Sequence, residues 1–135
     1  MRICTNPHQG RLLLSMGLES RSADLWWSQY VPDGGSMGLT EDPVLYSYKV
    51  SPNDIPAWSL TTLFQALPDA IIYKDEDYSL YLTKTQNIYV VGYKNDQGVL
   101  MYRDGMNLID ICVQIIVHLV KNQIPLNSAY KYDNI

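Results

Sequence analysis

General acid–base work needs a tunable side chain held against a partner, and this chain offers two histidines, His8 and His118. His118 lies on a strongly periodic stretch beside a polar strip of Asp110, Gln114 and Lys121. Asp110 is two helical turns away, beyond hydrogen-bond reach, so the spacing predicts a solvated histidine rather than a base. His8 follows Asn6-Pro7 at a helix start, a surface position. Two histidines and the well-separated Cys4 and Cys112 supply too few ligands for a metal site. One disulfide between the cysteines is the alternative to two reduced thiols, and the apolar helix face around Cys112 favours the reduced pair.

Three further stretches could carry chemistry. Gly34-Gly35-Ser36-Met37-Gly38 has the glycines that let amides approach a phosphate, but it lacks the Lys-Ser/Thr ending and a flanking strand and helix, so it reads as a loop. Ser59 sits in no G-x-S-x-G turn, and a helix cap accounts for it. Asp75-Glu76-Asp77 has neither the alternating ligands nor the central glycine of a calcium loop and is expected as a solvated turn. Asp24, beside two tryptophans, is expected to cap a helix or accept from a backbone amide. The expectation is therefore no catalytic residue, no cofactor and no metal.

Aromatic residues remain. The chain holds eleven Tyr against one Phe, with three Trp, and tyrosine suits half-buried sheets and interfaces because a rigid apolar body ends in one polar tip. Trp26 and Trp27 are adjacent, so on a helix or strand they cannot both face one core, and at least one should stay partly exposed. Strand parity groups Leu80, Leu82, Ile88 and Val90 as aliphatic and sets Tyr81, Tyr89 and Tyr93 apart, with Tyr102 as a further member. Trp26, Trp27, Tyr81, Tyr89 and Tyr93 are thus the candidate interaction surface. A second apolar layer over the tyrosines is the competing reading.

The elements that must position these residues are written locally. Asn6-Pro7 with Gln9 marks a helix start and Gly17 its stop, giving a helix over Pro7 to Met16. Ser22 or Asp24 could cap a short helical turn carrying the tryptophans. Pro32 to Gly38 lies in a stretch near 31–42 that reads as a mobile loop. Tyr46, Tyr48 and Val50 share a parity, predicting a strand over Leu45 to Val50. Trp58-Ser59 opens a second helix running to Leu67, with Trp58 stapled onto Leu63. Strands are expected at Tyr78–Lys84, Ile88–Lys94 and Gly98–Arg103, paired as an antiparallel meander. From Asn107 to Asn122, Leu108, Cys112, Ile115, Ile116 and Leu119 share one helical face. A loose tail is expected over 127–135.

Composition bounds the rest. With 135 residues, 47% apolar and 18% charged, the chain is expected to form one domain burying roughly two thirds of its unfolded surface. The net charge of −4, with basic residues scattered singly, argues against nucleic acid as a primary partner. The longest apolar stretch, Ile109 to Val120, is interrupted by Asp110, Gln114 and His118 and falls short of the about 20 residues a membrane span needs. Without a secretory leader, a cytoplasmic protein is expected.

Three residue groups together carry a resemblance: Leu13-Leu14 and Gly17-Leu18 leading into Ser22-Ala23-Asp24-Leu25 and Trp27; Pro56-Ala57-Trp58-Ser59-Leu60 with Leu63; and Asn107-Leu108-Ile109-Asp110 with Cys112. In these, covering about a quarter of the chain in order, it resembles a family of small uncharacterised proteins of Bacteroides-type bacteria and their phages or prophages. The resemblance implies a mobile-element setting and brings no activity with it.

The resulting expectation is an α+β domain: a three-stranded, or four-stranded, antiparallel meander packed by a long C-terminal helix, with two shorter helices in the N-terminal half. Its expected role is a small non-enzymatic interaction module whose partner is another protein or a second copy. The alternative is a small enzyme or ligand binder with a pocket near Trp26, Trp27, Trp58 and Asp24.

Overall fold

The computed structural model describes residues 2–29 and 42–127. Helix α1 spans Pro7–Ser15, opened by an Asn6 capping box in which Asn6 Oδ1 accepts from the Gln9 amide at 2.8 Å and Gln9 Oε1 accepts from the Asn6 amide at 3.0 Å. It closes in a Schellman motif: Gly17 takes φ +101°, Leu18 N–H donates to Leu13 O and Gly17 N–H to Leu14 O. That wrap places Leu18 against the core beside Leu13, both buried. Only a residue without Cβ takes this φ cheaply, which is why Gly17 stops the helix where the sequence says.

A single 3-10 turn, Ser20–Ser22, leads into strand β1, Leu25–Ser28. Here the structure corrects the helical turn expected for the tryptophans. Trp26 and Trp27 lie on a central strand, flanked by β2 (Val44–Tyr46) and β3 (Ile55–Ala57) in an antiparallel sheet of order β2-β1-β3. The strand expected over 45–50 is cut to Val44–Tyr46 because the chain bends at once into the Ser51–Asp54 turn, where Asp54 Oδ2 accepts from the Val50 and Ser51 amides at 2.7 and 2.9 Å. Pro56 is tolerated in β3 because that strand is an edge and the missing N–H interrupts no ladder.

Helix α2, Leu60–Ala66, starts at Ser59 as expected. Beyond Pro68 come β4 (Ala70–Tyr73), β5 (Glu76–Thr85), β6 (Ile88–Asn95) and β7 (Gly98–Gly105), a four-stranded antiparallel meander in chain order. Strand β4 is the fourth strand. It is joined to β5 by Lys74-Asp75, both at positive φ (51° and 66°), the two-residue hairpin whose twist matches the strands. Asp75 alone of the acidic triplet is in the turn, while Glu76 and Asp77 already pair with Tyr73 and Ile72.

Helix α3, Leu108–Lys121, is capped by Asn107, whose Oδ1 accepts from the Ile109 and Asp110 amides. It packs against β6, β7 and α2, while α1 packs against β3 and α3. One core runs through these layers, holding Leu13, Trp58, Leu63, Val91, Tyr93, Cys112, Ile115, Ile116 and Leu119. Two long-range devices tie the N-terminus in. Thr5 exchanges backbone and side-chain hydrogen bonds with Trp58, and Arg2 pairs with Asp110, which also accepts from Gln9 Nε2 at 2.7 Å. The caps of α1 and α3 are thereby joined side by side. The looseness expected from Asn127 onward does not begin there: Asn127 N–H donates to Ala66 O and its Nδ2 to Leu67 O, both at 3.1 Å, closing the C-terminus of α2. The expected loop near 31–42 falls outside the described residues except for its last position, and the tail falls outside them beyond Asn127.

Candidate interaction surface

Register decides which residues share a face of the β4–β7 sheet. The two-residue turn Gln86-Asn87 pairs Thr85 with Ile88, so Tyr81 stands opposite Gly92 and Leu82 opposite Val91. The inner face, toward α3, carries Ile71, Tyr78, Leu80, Leu82, Tyr89, Val91, Tyr93 and Met101. The outer face carries Ile72, Tyr81, Ile88, Val90, Lys94, Tyr102 and Asp104. Parity within each strand was legible from sequence. Parity is reversed between β5 and β6 across the two-residue turn Gln86-Asn87, and the expected Tyr81-Tyr89-Tyr93 group is therefore split, whereas a register shift at Tyr93/Lys94 restores parity between β6 and β7.

Tyr93 is the clearest correction. It is 0% exposed, its hydroxyl donates to Pro68 O at 2.7 Å, and burial, with Asp69 and Cys112 nearby, drives its ionisation far above the ordinary phenol range. It is a core residue and cannot meet a partner. Tyr89 lies on the same inner face, half-buried at its rim with the Lys84 ammonium 5.4 Å from its ring. Only Tyr81 of the three stands on the outer face.

What joins Tyr81 there is largely what periodicity left unweighed. Ile72 is 74% exposed, Tyr102 and Val99 are each 52%, and Ile88 is 42%. Tyr81, Gly92 and Tyr102 form one row across three strands. A Cβ at Gly92 would strike Met101 O and come within 2.7 Å of Tyr102 Cβ, so the strands close up over the glycine and set the two tyrosines on either side of a bare position. Lys94 lies 4.7 Å from the Tyr81 ring centroid, within cation–π range. Burial and the neighbouring Tyr102 hold the Tyr81 hydroxyl above its usual range. Neither hydroxyl has a hydrogen-bond partner among the described residues. The result is a flat aromatic and aliphatic field with Lys94 and Asp104 within it and Asp77 at its edge.

The tryptophans are elsewhere. Trp26 and Trp27 point to opposite faces of the smaller sheet, and both are half-buried. The Trp27 indole N–H donates to Thr5 O at 2.8 Å, an anchored position, whereas Trp26 carries the Lys49 ammonium 5.4 Å from its ring. Trp58 is 0% exposed, and its indole N–H donates to Ser22 Oγ at 2.9 Å. Among the described residues, therefore, Trp26, Trp27, Trp58 and Asp24 do not share one described pocket. Asp24 Oδ1 accepts from the Ser59 amide at 2.9 Å and from Thr62 Oγ1 at 3.3 Å, the backbone role expected of it. A cleft of about 260 Å³ does open beside Trp27, lined by Arg11, Gln29, Pro43, Ser51, Asn53, Asp54 and Ile55, but the Asp54 carboxylate is already committed to the Val50 and Ser51 amides.

Both thiols are unpaired and buried. Burial, with Asp24 adding and Arg2 opposing, raises Cys4 above the usual thiol range, and burial alone pushes Cys112 up to about 12. Neither is poised as a nucleophile. His118 is half-buried rather than solvated: Arg103 Nη2 lies 3.3 Å from its Nδ1, and burial together with that guanidinium lowers its pKa. Among the described residues no three His, Cys, Asp or Glu side chains gather as a metal site, and no helix is long and apolar enough to cross a membrane.

No family model, curated protein or solved structure matches the chain.

Proposed function

We propose that the protein is a small non-enzymatic interaction module, phage- or prophage-derived as its family resemblance implies, which docks a protein surface on the outer face of the β4–β7 sheet. The observation that carries this reading is the exposure of Ile72, Ile88, Val99 and Tyr102 on one antiparallel sheet whose other face is packed by α3. An antiparallel sheet with one solvated face ordinarily alternates apolar inside with polar outside; here Ile72, Ile88, Val99 and Tyr102 interrupt an outer face that also carries Asp77, Ser79, Thr83 and Thr85. Tyrosines that keep a free hydroxyl and a rigid ring suit an interface core.

The partner is a second copy of the chain. The outer face holds Lys94 together with Asp77 and Asp104, so it offers both signs of charge, and a two-fold arrangement that sets Lys94 of one copy against an aspartate of the other uses the same patch twice. Sedimentation velocity over a dilution series tests this. The native chain should shift from dimer to monomer on dilution, and Ile72→Asp with Ile88→Asp should hold it monomeric with an unchanged circular dichroism spectrum. A native chain that stays monomeric at every concentration would refute the reading.

A further inference from the structure

A second surface lies on the helical side. Leu12 of α1, Arg103 of β7 and Val113, Gln114, Val117, His118, Lys121 and Asn122 along the end of α3 line an open groove of about 370 Å³. Its floor is apolar, formed by Leu12, Val113 and Val117. Its rim carries Arg103, His118 and Lys121, and no carboxylate is among its lining residues. In a chain with fourteen acidic residues and ten Lys plus Arg, a lining with Arg103 and Lys121 and no acid runs against composition.

The state of Arg103 sharpens this. Its guanidinium donates from Nη1 to Tyr102 O at 2.8 Å and lies with Nη2 3.3 Å from His118 Nδ1. Both partners are uncharged acceptors, since an imidazole accepting at Nδ1 is the neutral form with its proton on Nε2. A guanidinium is always protonated and its fork fits a carboxylate two-pronged, yet no carboxylate reaches it among the described residues. Lys121 likewise has no ion-pair partner there. Lys121 also answers the negative end of the α3 dipole. Arg103, coming from a strand, has no such role, and it fixes the charge over an apolar floor.

We infer that this groove binds a short acidic peptide segment of a protein partner, an apolar side chain seated on Leu12, Val113 and Val117 and its carboxylates held by Arg103 and Lys121, with His118 donating from Nε2. The site is separate from the sheet face proposed above. Charge-assisted bonds at the rim orient the segment, and the apolar floor supplies the contact area.

The test is titration of the isotope-labelled full chain with the blocked peptide EDLLE and its neutral counterpart QNLLQ, followed by amide and imidazole NMR shifts. EDLLE should move Val113, Val117, His118 and Lys121 saturably. QNLLQ should bind at least about tenfold more weakly, because the rim bonds are lost with its charge. Arg103→Gln and, at an exposed position that leaves the core untouched, Lys121→Glu should each weaken EDLLE at least about fivefold, and raising the salt should do the same. Ile72→Asp, on the other sheet face, should leave the affinity unchanged. Equal binding of the two peptides, shifts centred elsewhere, indifference to both rim variants, or no saturable binding of EDLLE would each overturn the inference, as would tighter binding of a single-stranded oligonucleotide than of EDLLE.

Discussion

Two sets of aromatic residues divide the molecule. Trp58 and Tyr93 are sealed in the core, and each places its one polar atom on a partner: the Trp58 indole N–H on Ser22 Oγ, the Tyr93 hydroxyl on Pro68 O. Tyr81 and Tyr102 stand on the outer face of the larger sheet with hydroxyls that meet no acceptor among the described residues and with only Lys94 against a ring. The difference is one of partners, not of residue type. A buried tyrosine is tolerable only where its hydroxyl is satisfied, so the abundance of tyrosine marks neither core nor interface until the register assigns each ring a side. That division is also what separates stability from association in this chain.

The sealed set should answer mutation first. Trp58→Ala removes a fully buried indole and leaves the Ser22 hydroxyl without its donor, and it should cost about 3 to 5 kcal/mol in denaturant unfolding. A loss under about 1 kcal/mol would place Trp58 outside the core that the account gives it. Gly92→Ala is the next largest: the new Cβ meets the β7 backbone and Tyr102, and wedging the strands apart should cost about 1 to 3 kcal/mol. Tyr93→Phe keeps the ring and strands the Pro68 carbonyl, a loss of about 1 to 2 kcal/mol. Against these, Ile72→Ser should stay within about 0.5 kcal/mol of the native chain when unfolding is measured at a dilution where the chain is monomeric. If Ile72→Ser destabilised the monomer as much as Tyr93→Phe, the outer face would be covered within the chain itself.

The smallest expected effect is a pH dependence. The folded pKa of His118 is held below its ordinary value of 6.5 by burial and by Arg103. The unfolded chain therefore takes up this proton first as pH falls, so stability should rise with pH through the region just below 6.5 and decline as the solution is acidified. Arg103→Gln should move the His118 titration, followed by imidazole NMR, upward. An unmoved titration would remove Arg103 as a cause.

Much of this fold is written locally. The Asn6, Ser59 and Asn107 caps, the Gly17 stop and the apolar stripe of α3 each depend on residues a few positions apart, and each stands where the pattern puts it. Of the smaller sheet only β2 is legible in part, as the alternation from Leu45; β1 and β3 are not, because three or four residues give too little alternation and β3 contains a proline. Its pairing is imposed by tertiary partners, Thr5 and Trp58 among them. The candidate surface was half legible. Tyr81 and Tyr102 could be grouped, but their neighbours Ile72, Ile88 and Val99 follow only once the turns and the register shift fix which strand positions oppose each other. Pairing odd with even positions across Gln86-Asn87 would have separated Tyr81 from Tyr93 before any coordinates.

Site-specific photo-crosslinking reports contact across the outer sheet face. With p-benzoylphenylalanine in place of Tyr102, irradiation of the purified chain should give a covalent dimer whose yield falls on dilution and with Ile72→Asp. The same group in place of Thr61, exposed on α2, should give none. Equal dimer from the two positions, or none from position 102 at concentrations where the chain sediments as a dimer, would contradict the assignment of the outer sheet face as the docking surface.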